Sequence, residues 1–588
     1  DPRLEEATAE VYRNEFAKGR MRSWVPKYAG MLVSRAKTAV RDDMLANNEA
    51  ATMYEFSEKP VVCRCGTPVT VKIVEDQWFL NYADEGWKEK TRDCIARMDL
   101  VPPETRAQFE HTIGWLHEWP CTRSIGMGTP APWDPKWIIE SLSDSTIYMA
   151  YYTIAHILKT IDPAKLTDEV FDYIFHGEGS AGSISRSTGI DRQALERMRR
   201  EFEYWYPLDY RMSANELIPN HLTFHIFHHA LLFPKLCPRG IISFGIAVLE
   251  GEKMSSSKGN IIAINEAVRE YGADTVRLYL MSVTEPWQDL DWRTSEVEAM
   301  RRNLERFYSL AEEILALPET GRPSFAQPER WMQSRLQRHV QAVTEALEAF
   351  ETRKAVQHAF FFLMQDLRWY MKRAQQLETR AHMLKQVFNV WLRLLAPFTP
   401  HICEELWERA KSGGFISVAP WPKMEEGLID KGAELIESYL GRVLEDVGKI
   451  LRVTKVKKPK RVCLYVAQDW KWQAYRIAMK RAGGRKVDFG SLLREIGEKL
   501  GLRLRKSDLS KFLQQAVQEL RGVPSEELEI LETTEIDELQ VLLDAAEFIR
   551  EQLNVKEVCV FKADDDARYD PQDRARLAVP LRPAIFIE

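Results

Sequence analysis

The stretch that most constrains this chain is Lys253-Met254-Ser255-Ser256-Ser257-Lys258-Gly259-Asn260, a short polar loop with two lysines, three serines and a glycine. An apolar run from Gly240 to Leu249 precedes it, and a helical pattern from Asn265 to Met281 follows. The reading is strand, loop, helix. Small hydroxyl residues and glycine let backbone N–H groups converge on one anion, and the positive end of the next helix adds to that field. Lysine carries a compact charge on a long stem, suited to following a phosphate as charge builds on it. A lone K-x-S-rich loop is more often a solvated turn, so the weight rests on the whole eight-residue string in this setting.

The 588 residues make room for about four domains at ~150 residues each. A hydrophobic content of 45% and a charged content of 29% describe an ordinary soluble globular protein. The net charge of −6 excludes a chain that is basic throughout but leaves room for local nucleic-acid patches. Eight cysteines without a secretory leader predict reduced thiols in a cytoplasmic protein. No run of about 18 apolar residues is present, so no membrane span is expected. The chain opens at Asp1 in what reads as the middle of a fold, the expectation for a fragment or one piece of a split protein.

Residues 1–60 read as helices rich in Arg, Lys and Glu. Val69, Val71 and Ile73 then alternate with Thr70 and Lys72, a strand pattern. Cys63-Arg64-Cys65-Gly66 is half of a zinc knuckle. With no second close cysteine pair to complete four ligands, no metal site is expected. The Gly- and Pro-rich stretch across 106–134, with Trp115, Trp119, Cys121 and Trp133, reads as an ordered, turning loop. Asp144 and Ser145 stand where either could cap a helix through Tyr148.

His176-Gly177-Glu178-Gly179-Ser180-Ala181-Gly182 contains a formal GxGxxG. Its lead-in is too short and polar for a buried strand, and the next helix is expected only near Asp191, so a surface loop is predicted rather than a dinucleotide site. Four histidines fall between His221 and His229. His225 and His229 are one helical turn apart with no carboxylate ligand beside them, which reads as a packed helix. His221 opens that helix beside Glu216, where an adenosine or ribose would meet both.

Met332, Leu336, Val340, Val343, Leu347 and Phe350 repeat at three- and four-residue steps. They mark the buried face of a helix in a bundle spanning 301–430. From 431 onward, Val462, Leu464 and Val466 alternate with Arg461, Cys463 and Tyr465, and Val558 and Val560 repeat the pattern between long helices. A small α/β domain is expected there. Lys455, Lys457, Lys458, Lys460 and Arg461 form a basic run near Trp470 and Trp472, which suits RNA phosphate and base contact as well as it suits a solvated face. The apolar ending Ala584-Ile585-Phe586-Ile587-Glu588 reads as a docked or partner-contacting terminus.

Seven stretches now stand in one order: Gln77-Trp78-Phe79, Trp115 to Trp133, Glu140 to Tyr148, Glu216 to His221, Lys253 to Asn260, Tyr271 to Arg277, and Ala396 to Trp407. In that order, and over essentially the whole length, the chain resembles the leucyl-tRNA synthetases of archaeal/eukaryotic type. Its polar loop resembles the KMSKS loop of class I aminoacyl-tRNA synthetases.

The resemblance implies a multidomain α/β plus α fold. Residues 1–75 are the exit of an inserted editing region, and 76–300 are the second half of a Rossmann-type catalytic domain. Residues 301–430 are an anticodon-binding helical bundle, and 431–588 are a C-terminal α/β domain that contacts tRNA. It implies ATP with Mg²⁺, leucine, leucine tRNA and a separate N-terminal synthetase half as partners. Lys253, Ser256 and Lys258 are the implied catalytic positions. Lys253, Met254, Ser255, Ser256, Ser257, Glu216, His221 and Gly245 are implied around ATP, and Asp144, Ser145 and Tyr148 around the substrate. Lys455, Lys457, Lys458, Lys460, Arg461, Ile587 and Glu588 are implied in tRNA contact.

The chain departs from the family pattern in places. Ser256 stands where the loop has its second lysine, Phe244-Gly245 where Asn-Gly is usual, and His228-His229 where Asn-His is usual. The HIGH motif and the editing pocket are absent. This chain alone is therefore expected neither to activate leucine nor to proofread. The alternative is a non-catalytic paralogue that keeps tRNA binding; a pure interaction protein fits the ordered motifs poorly.

Overall fold

The computed structural model describes residues 2–57, 60–63, 66–254, 259–318, 321, 323–456, 459–482, 489–500, 506–520, 530–531, 534 and 536–588. Cys65, Ser255, Ser256, Ser257, Lys258, Lys457 and Lys458 lie outside the described residues. The chain divides into two units, 1–81 with 118–144 and 82–117 with 145–588.

In the first unit, a helix Pro2–Tyr12 runs into a π-helical turn Arg13–Lys18, and a second helix spans Val33–Ala46. Two short antiparallel ladders follow. Phe79–Asn81 pairs with Glu118–Pro120, and Thr122–Arg123 pairs with Ile138–Ile139. The strand expected at 69–73 does not form. Val69, Val71 and Ile73 are exposed, and only an isolated bridge joins Val62 to Pro68. Alternation supplies a face, but a strand also needs a partner and something to bury that face against. Cys63 is disulfide-bonded, so the expectation of reduced thiols does not hold at this position.

The second unit contains a parallel sheet with Gly240–Phe244 at its centre, flanked by Asp99–Val101 and Tyr210–Ala214. The central strand is buried from Gly240 to Ser243, the apolar character that a parallel strand covered on both faces requires. Gly240 is necessary there, because a Cβ would lie 2.4 Å from the Tyr210 ring and 2.5 Å from the Asp99 carbonyl. Thr105–Trp115 is helical, so the turning loop expected across 106–134 begins only after that helix, where Gly and Pro are concentrated. The formal GxGxxG is preceded by a π-helical turn Asp172–His176, not a strand. Its next helix starts at Ala181, capped by Ser180, earlier than the sequence pattern placed it. Asp144 closes the short helix Ser141–Asp144, and Tyr148–Tyr152 starts after Ile147 with no side-chain cap, so neither capping expectation holds.

Downstream, Asn265–Met281 is two helices, Ile264–Tyr271 and Ala273–Val283, broken at Gly272 with φ +87°. Long helices Thr294–Leu315, Gln327–Glu348, Leu363–Arg373, Leu377–Leu395 and Pro400–Arg409 form the expected bundle. Met332, Leu336, Val340 and Val343 are buried in it as the periodicity predicts. Two of the ordered sequence stretches meet here. The buried Asp274 carboxylate accepts the backbone N–H groups of His401 (3.3 Å) and Ile402 (2.6 Å) at the start of helix Pro400–Arg409. Arg277 donates to the carbonyls of Pro397 (2.7 Å) and Phe398 (3.3 Å). A carboxylate at a helix N-terminus satisfies orphan donors and favours the positive end of the dipole.

The C-terminal sheet has Arg461–Val466 at its centre, parallel to Glu557–Lys562 and antiparallel to Ala584–Ile587. Val462, Leu464 and Val466 pack against helices Lys431–Thr454 and Ala546–Leu553, while Cys463 and Tyr465 pack on the opposite face with Phe586 and Ala563. The predicted alternation is therefore a strand with two buried faces.

Candidate functional site

In a parallel sheet, backbone amides and loops gather at the carboxyl ends of the strands, which is where such sheets bind ligands. Strand Tyr210–Ala214 ends into the turn that carries Glu216 and His221, and strand Gly240–Phe244 ends at Gly245. From there the chain makes a hairpin in which Ala247–Leu249 pairs with Glu252–Lys253. Its two turn residues, Glu250 (φ +49°) and Gly251 (φ +83°), both have the positive φ that a two-residue type I′ turn requires.

The hairpin is fixed by its backbone. The Gly251 N–H donates to Asp291 (2.8 Å), Glu250 accepts from the Thr294 N–H (3.0 Å), and Leu290–Trp292 pairs in parallel with Ala247–Leu249. This delivers Lys253 Nζ to 3.9 Å from Glu216 Oε1. The Asn260 amide donates to the Lys253 carbonyl (3.0 Å), drawing the two ends of the polar loop together.

Two of the expected ATP contacts also have packing partners. A Cβ at Gly245 would lie 2.4 Å from the Gln288 carbonyl, so glycine is required by a neighbouring backbone. Met254 packs against the hydrophobic core, with Leu249 and Ile262 in the same cluster.

His221 is buried, with both ring nitrogens engaged. Arg211 Nη2 donates to Nδ1 (2.9 Å), and Nε2 faces Ser145 Oγ (2.9 Å) and the Ser145 carbonyl (3.2 Å). A guanidinium can only donate, so the ring is the neutral tautomer with its proton on Nε2. The same Arg211 lies 5.7 Å from the centre of the Tyr148 ring, and burial pulls its pKa below the ordinary value. Ser145 and Tyr148 are thus brought together by Arg211 and His221. Asp144 belongs to the first unit, where it accepts from Thr129 (3.2 Å). Sequence reasoning misses Arg211; the available signal is the one cation in strand Tyr210–Ala214, half-buried in the fold.

The helix Thr223–Leu232 confirms the packed reading of its histidines. His225 Nδ1 donates to the Thr146 carbonyl (2.9 Å), His228 Nδ1 bonds Thr146 Oγ1, and His229 Nδ1 donates to the His225 carbonyl (2.8 Å). Burial pushes the pKa values of His228 and His229 down to about 4 and that of His225 well below its ordinary value. Among the described residues, no group of three His, Cys, Asp or Glu is arranged to hold a metal.

On the C-terminal domain, Lys455 and Lys460 are exposed. Arg461 is held by Glu557 (2.7 Å) and Glu588 (3.6 Å) and lies over the Tyr569 ring. Ile587 pairs with Val462 in the sheet, and the Glu588 carbonyl accepts the Lys460 N–H (2.6 Å). The chain end is docked. Trp470 packs edge-on against Phe512 (5.4 Å), and Trp472 donates to Glu538 (2.7 Å), so these rings are half-buried supports rather than open stacking platforms.

The parallel sheet and the helical bundle that follows it are each covered in part by a known family. Residues 182–308 match the family described as tRNA synthetases class I (M), and residues 329–466 match the anticodon-binding domain of tRNA ligase. The chain is also similar over its full length to leucine–tRNA ligases. It is 42% identical over its full length to those of Methanothermobacter thermautotrophicus and Pyrococcus furiosus, covering 61% and 60% of their respective lengths. The chain therefore spans about three-fifths of the curated relatives it matches. A solved methionyl-tRNA synthetase from Mycobacterium tuberculosis overlays loosely, at 17% identity with a TM-score of 0.43, over 59% of this chain and 64% of its own. Among the described residues, no helix is long and apolar enough to cross a membrane.

Proposed function

We propose that this chain is the portion of a leucine–tRNA ligase that supplies the pyrophosphate-side loop of amino-acid activation and the tRNA-binding bundle, acting in the cytoplasm. The observation that carries the reading is the placement of Lys253 beside Glu216 at the carboxyl edge of the parallel sheet. In this reading, leucine carboxylate attacks the α-phosphate of ATP and pyrophosphate leaves. The tRNA 3′ ribose hydroxyl then takes the leucyl group from the adenylate and AMP departs. No side-chain nucleophile is needed; positioning and charge stabilisation carry both steps.

Lys253 exchanges Glu216 for the departing phosphates, assisted by Ser255, Ser256, Ser257 and Lys258. The neutral His221 and Glu216 face the adenosine, while Ser145, Tyr148 and Arg211 shape the adjoining floor. Asp144 is not assigned. Gly245 and Met254 support the loop rather than touch the nucleotide. Mg²⁺ is assigned to the ATP phosphates, its usual mode in nucleotide sites, and no protein ligand or step is assigned to it. Lys455, Lys457, Lys458 and Lys460 contact tRNA phosphate, and Arg461, Ile587 and Glu588 hold the strand ends that present them.

The test is leucine-dependent ATP–pyrophosphate exchange by this chain combined with the remaining portion encoded in the same source. Exchange is the expected result. No exchange from a folded, associated pair that still binds leucine tRNA at low salt would replace the ligase with the tRNA-binding paralogue that Ser256 permits.

A further inference from the structure

Strand Tyr210–Ala214, which leads to Glu216, and the hairpin that carries Lys253 both rest on one corner of the helical bundle. The corner is residues 350–354, between helix Gln327–Glu348 and the helical run that starts at Thr352. Phe350 has φ +58°, a left-handed conformation that a bulky side chain keeps only where its surroundings hold it. Its ring packs against that of Tyr210, with centroids 4.8 Å apart and planes at 64°. The Tyr210 hydroxyl donates to Asp99 (2.8 Å), in the strand on the other side of central strand Gly240–Phe244.

Three residues on, the same corner is bound by Glu285. Its carboxylate accepts the backbone N–H of Arg353 at Oε2 (3.1 Å) and of Lys354 at Oε1 (3.2 Å). These are orphan donors of the first helical turn, and Glu351, at the N-cap position, makes no side-chain cap of its own. Glu285 also opens the segment on which the Lys253 hairpin is built. Its carbonyl closes a turn with the Gln288 N–H (3.0 Å), and the Gln288 side chain accepts the Glu285 N–H (3.2 Å). The Pro286 carbonyl accepts the Gly245 N–H (3.0 Å), and the Asp289 carboxylate accepts the Ile246 N–H (2.8 Å). Leu290–Trp292 then pairs with Ala247–Leu249. Glu216 and Lys253, which meet at 3.9 Å, therefore end two arms that share one foundation.

We infer that Glu285 and Phe350 are positioning residues for Lys253: they clamp the bundle corner to both arms, so that the lysine is held at the carboxyl edge of the sheet with its charge free. The inference rests on the phosphate role proposed for Lys253. The ion pair with Glu216 cannot fix the lysine by itself, because both side chains are largely exposed and such pairs hold weakly in water. The hairpin backbone fixes Lys253 locally, and Glu285 fixes the hairpin's support to the bundle. A carboxylate that accepts two successive amides is a stiff joint, since both bonds must break before it turns. Misplacing a reacting group by about 1 Å costs up to about a hundredfold in rate. Glu285 and Phe350 act through Lys253 and touch no reacting atom.

The direct test needs only this chain. Glu285→Ala should speed amide hydrogen exchange across residues 245–253, and Phe350→Ala across strand Tyr210–Ala214, while strand Arg461–Val466 exchanges as in the parent. Glu285→Gln, which keeps an acceptor oxygen, should recover most of the protection. Unchanged exchange in either alanine variant would remove that residue from the clamp. In the completed enzyme, Glu285→Ala should lower kcat for pyrophosphate exchange about tenfold, with leucine tRNA binding unchanged. Added to Lys253→Ala it should have almost no further effect, because it acts through that lysine. Losses that multiply would overturn the positioning role and make Glu285 a general support of the fold. A parent enzyme with no exchange activity would strike the proposed function, and hydrogen exchange would still decide the clamp.

Discussion

Two ion pairs in this chain stand in opposite surroundings. Lys253 and Glu216 meet at 3.9 Å with side chains 77% and 63% exposed. Arg373 and Glu437 meet at 3.0 Å with side chains 12% and 1% exposed. Glu437 also accepts from Trp369 Nε1 (2.6 Å), and Arg373 lies over the Phe548 ring (4.8 Å). Burial raises the Glu437 pKa even with these partners in place. The first pair contributes little to stability and exchanges partners freely. The second welds helix Leu363–Arg373 to helix Lys431–Thr454. Lys253 is therefore positioned by the hairpin backbone while its charge stays available. On the bundle side, the charge itself is the cross-link.

The contrast breaks most sharply at the buried pair. Arg373→Ala leaves the Glu437 carboxylate without its cation and is expected to cost about 3–5 kcal/mol, read from the urea midpoint. A loss within the range of an ordinary surface substitution would show that the two pairs do not differ in kind.

Acid sharpens the comparison next, because it reaches the buried histidines of helix Thr223–Leu232. His228 and His229 are held neutral to about pH 4 by burial, whereas an unfolded histidine takes its proton near pH 6.5. Between those values the unfolded state binds more protons. Stability is therefore fully present above about pH 6.5 and is lost as pH falls toward 4, by up to about 3 kcal/mol per histidine. His228→Gln and His229→Gln should flatten that slope in chemical unfolding measured across the window. An unchanged slope would remove these rings as its source.

The smallest stability effect is expected at the exposed pair. Lys253→Ala should leave the urea midpoint within about 0.5 kcal/mol of the parent. In the completed enzyme it should lower pyrophosphate exchange by about a hundredfold or more. A stability loss as large as that of Arg373→Ala would show that Lys253 serves the fold instead.

The sequence by itself determined whatever depends on local periodicity or on a contiguous string. The bundle face at Met332, Leu336, Val340 and Val343 was legible because helical spacing places those residues on one stripe, and Val462 to Val466 because strand spacing alternates faces. The polar loop stands out in the sequence because its character is carried by adjacent residues.

What only the tertiary structure decided involves pairing across distance. Val69 to Ile73 had the right alternation and found no partner strand. Asp274 became a cap for a helix beginning 126 residues later, at Pro400. Arg211 acquired its role from His221 and Tyr148. Gly245 proved necessary because the backbone of Gln288 and Asp289 approaches it. None of these partners lies within a helical turn or a strand repeat, so no local pattern could encode them; they follow from where the chain is brought once its apolar faces are buried.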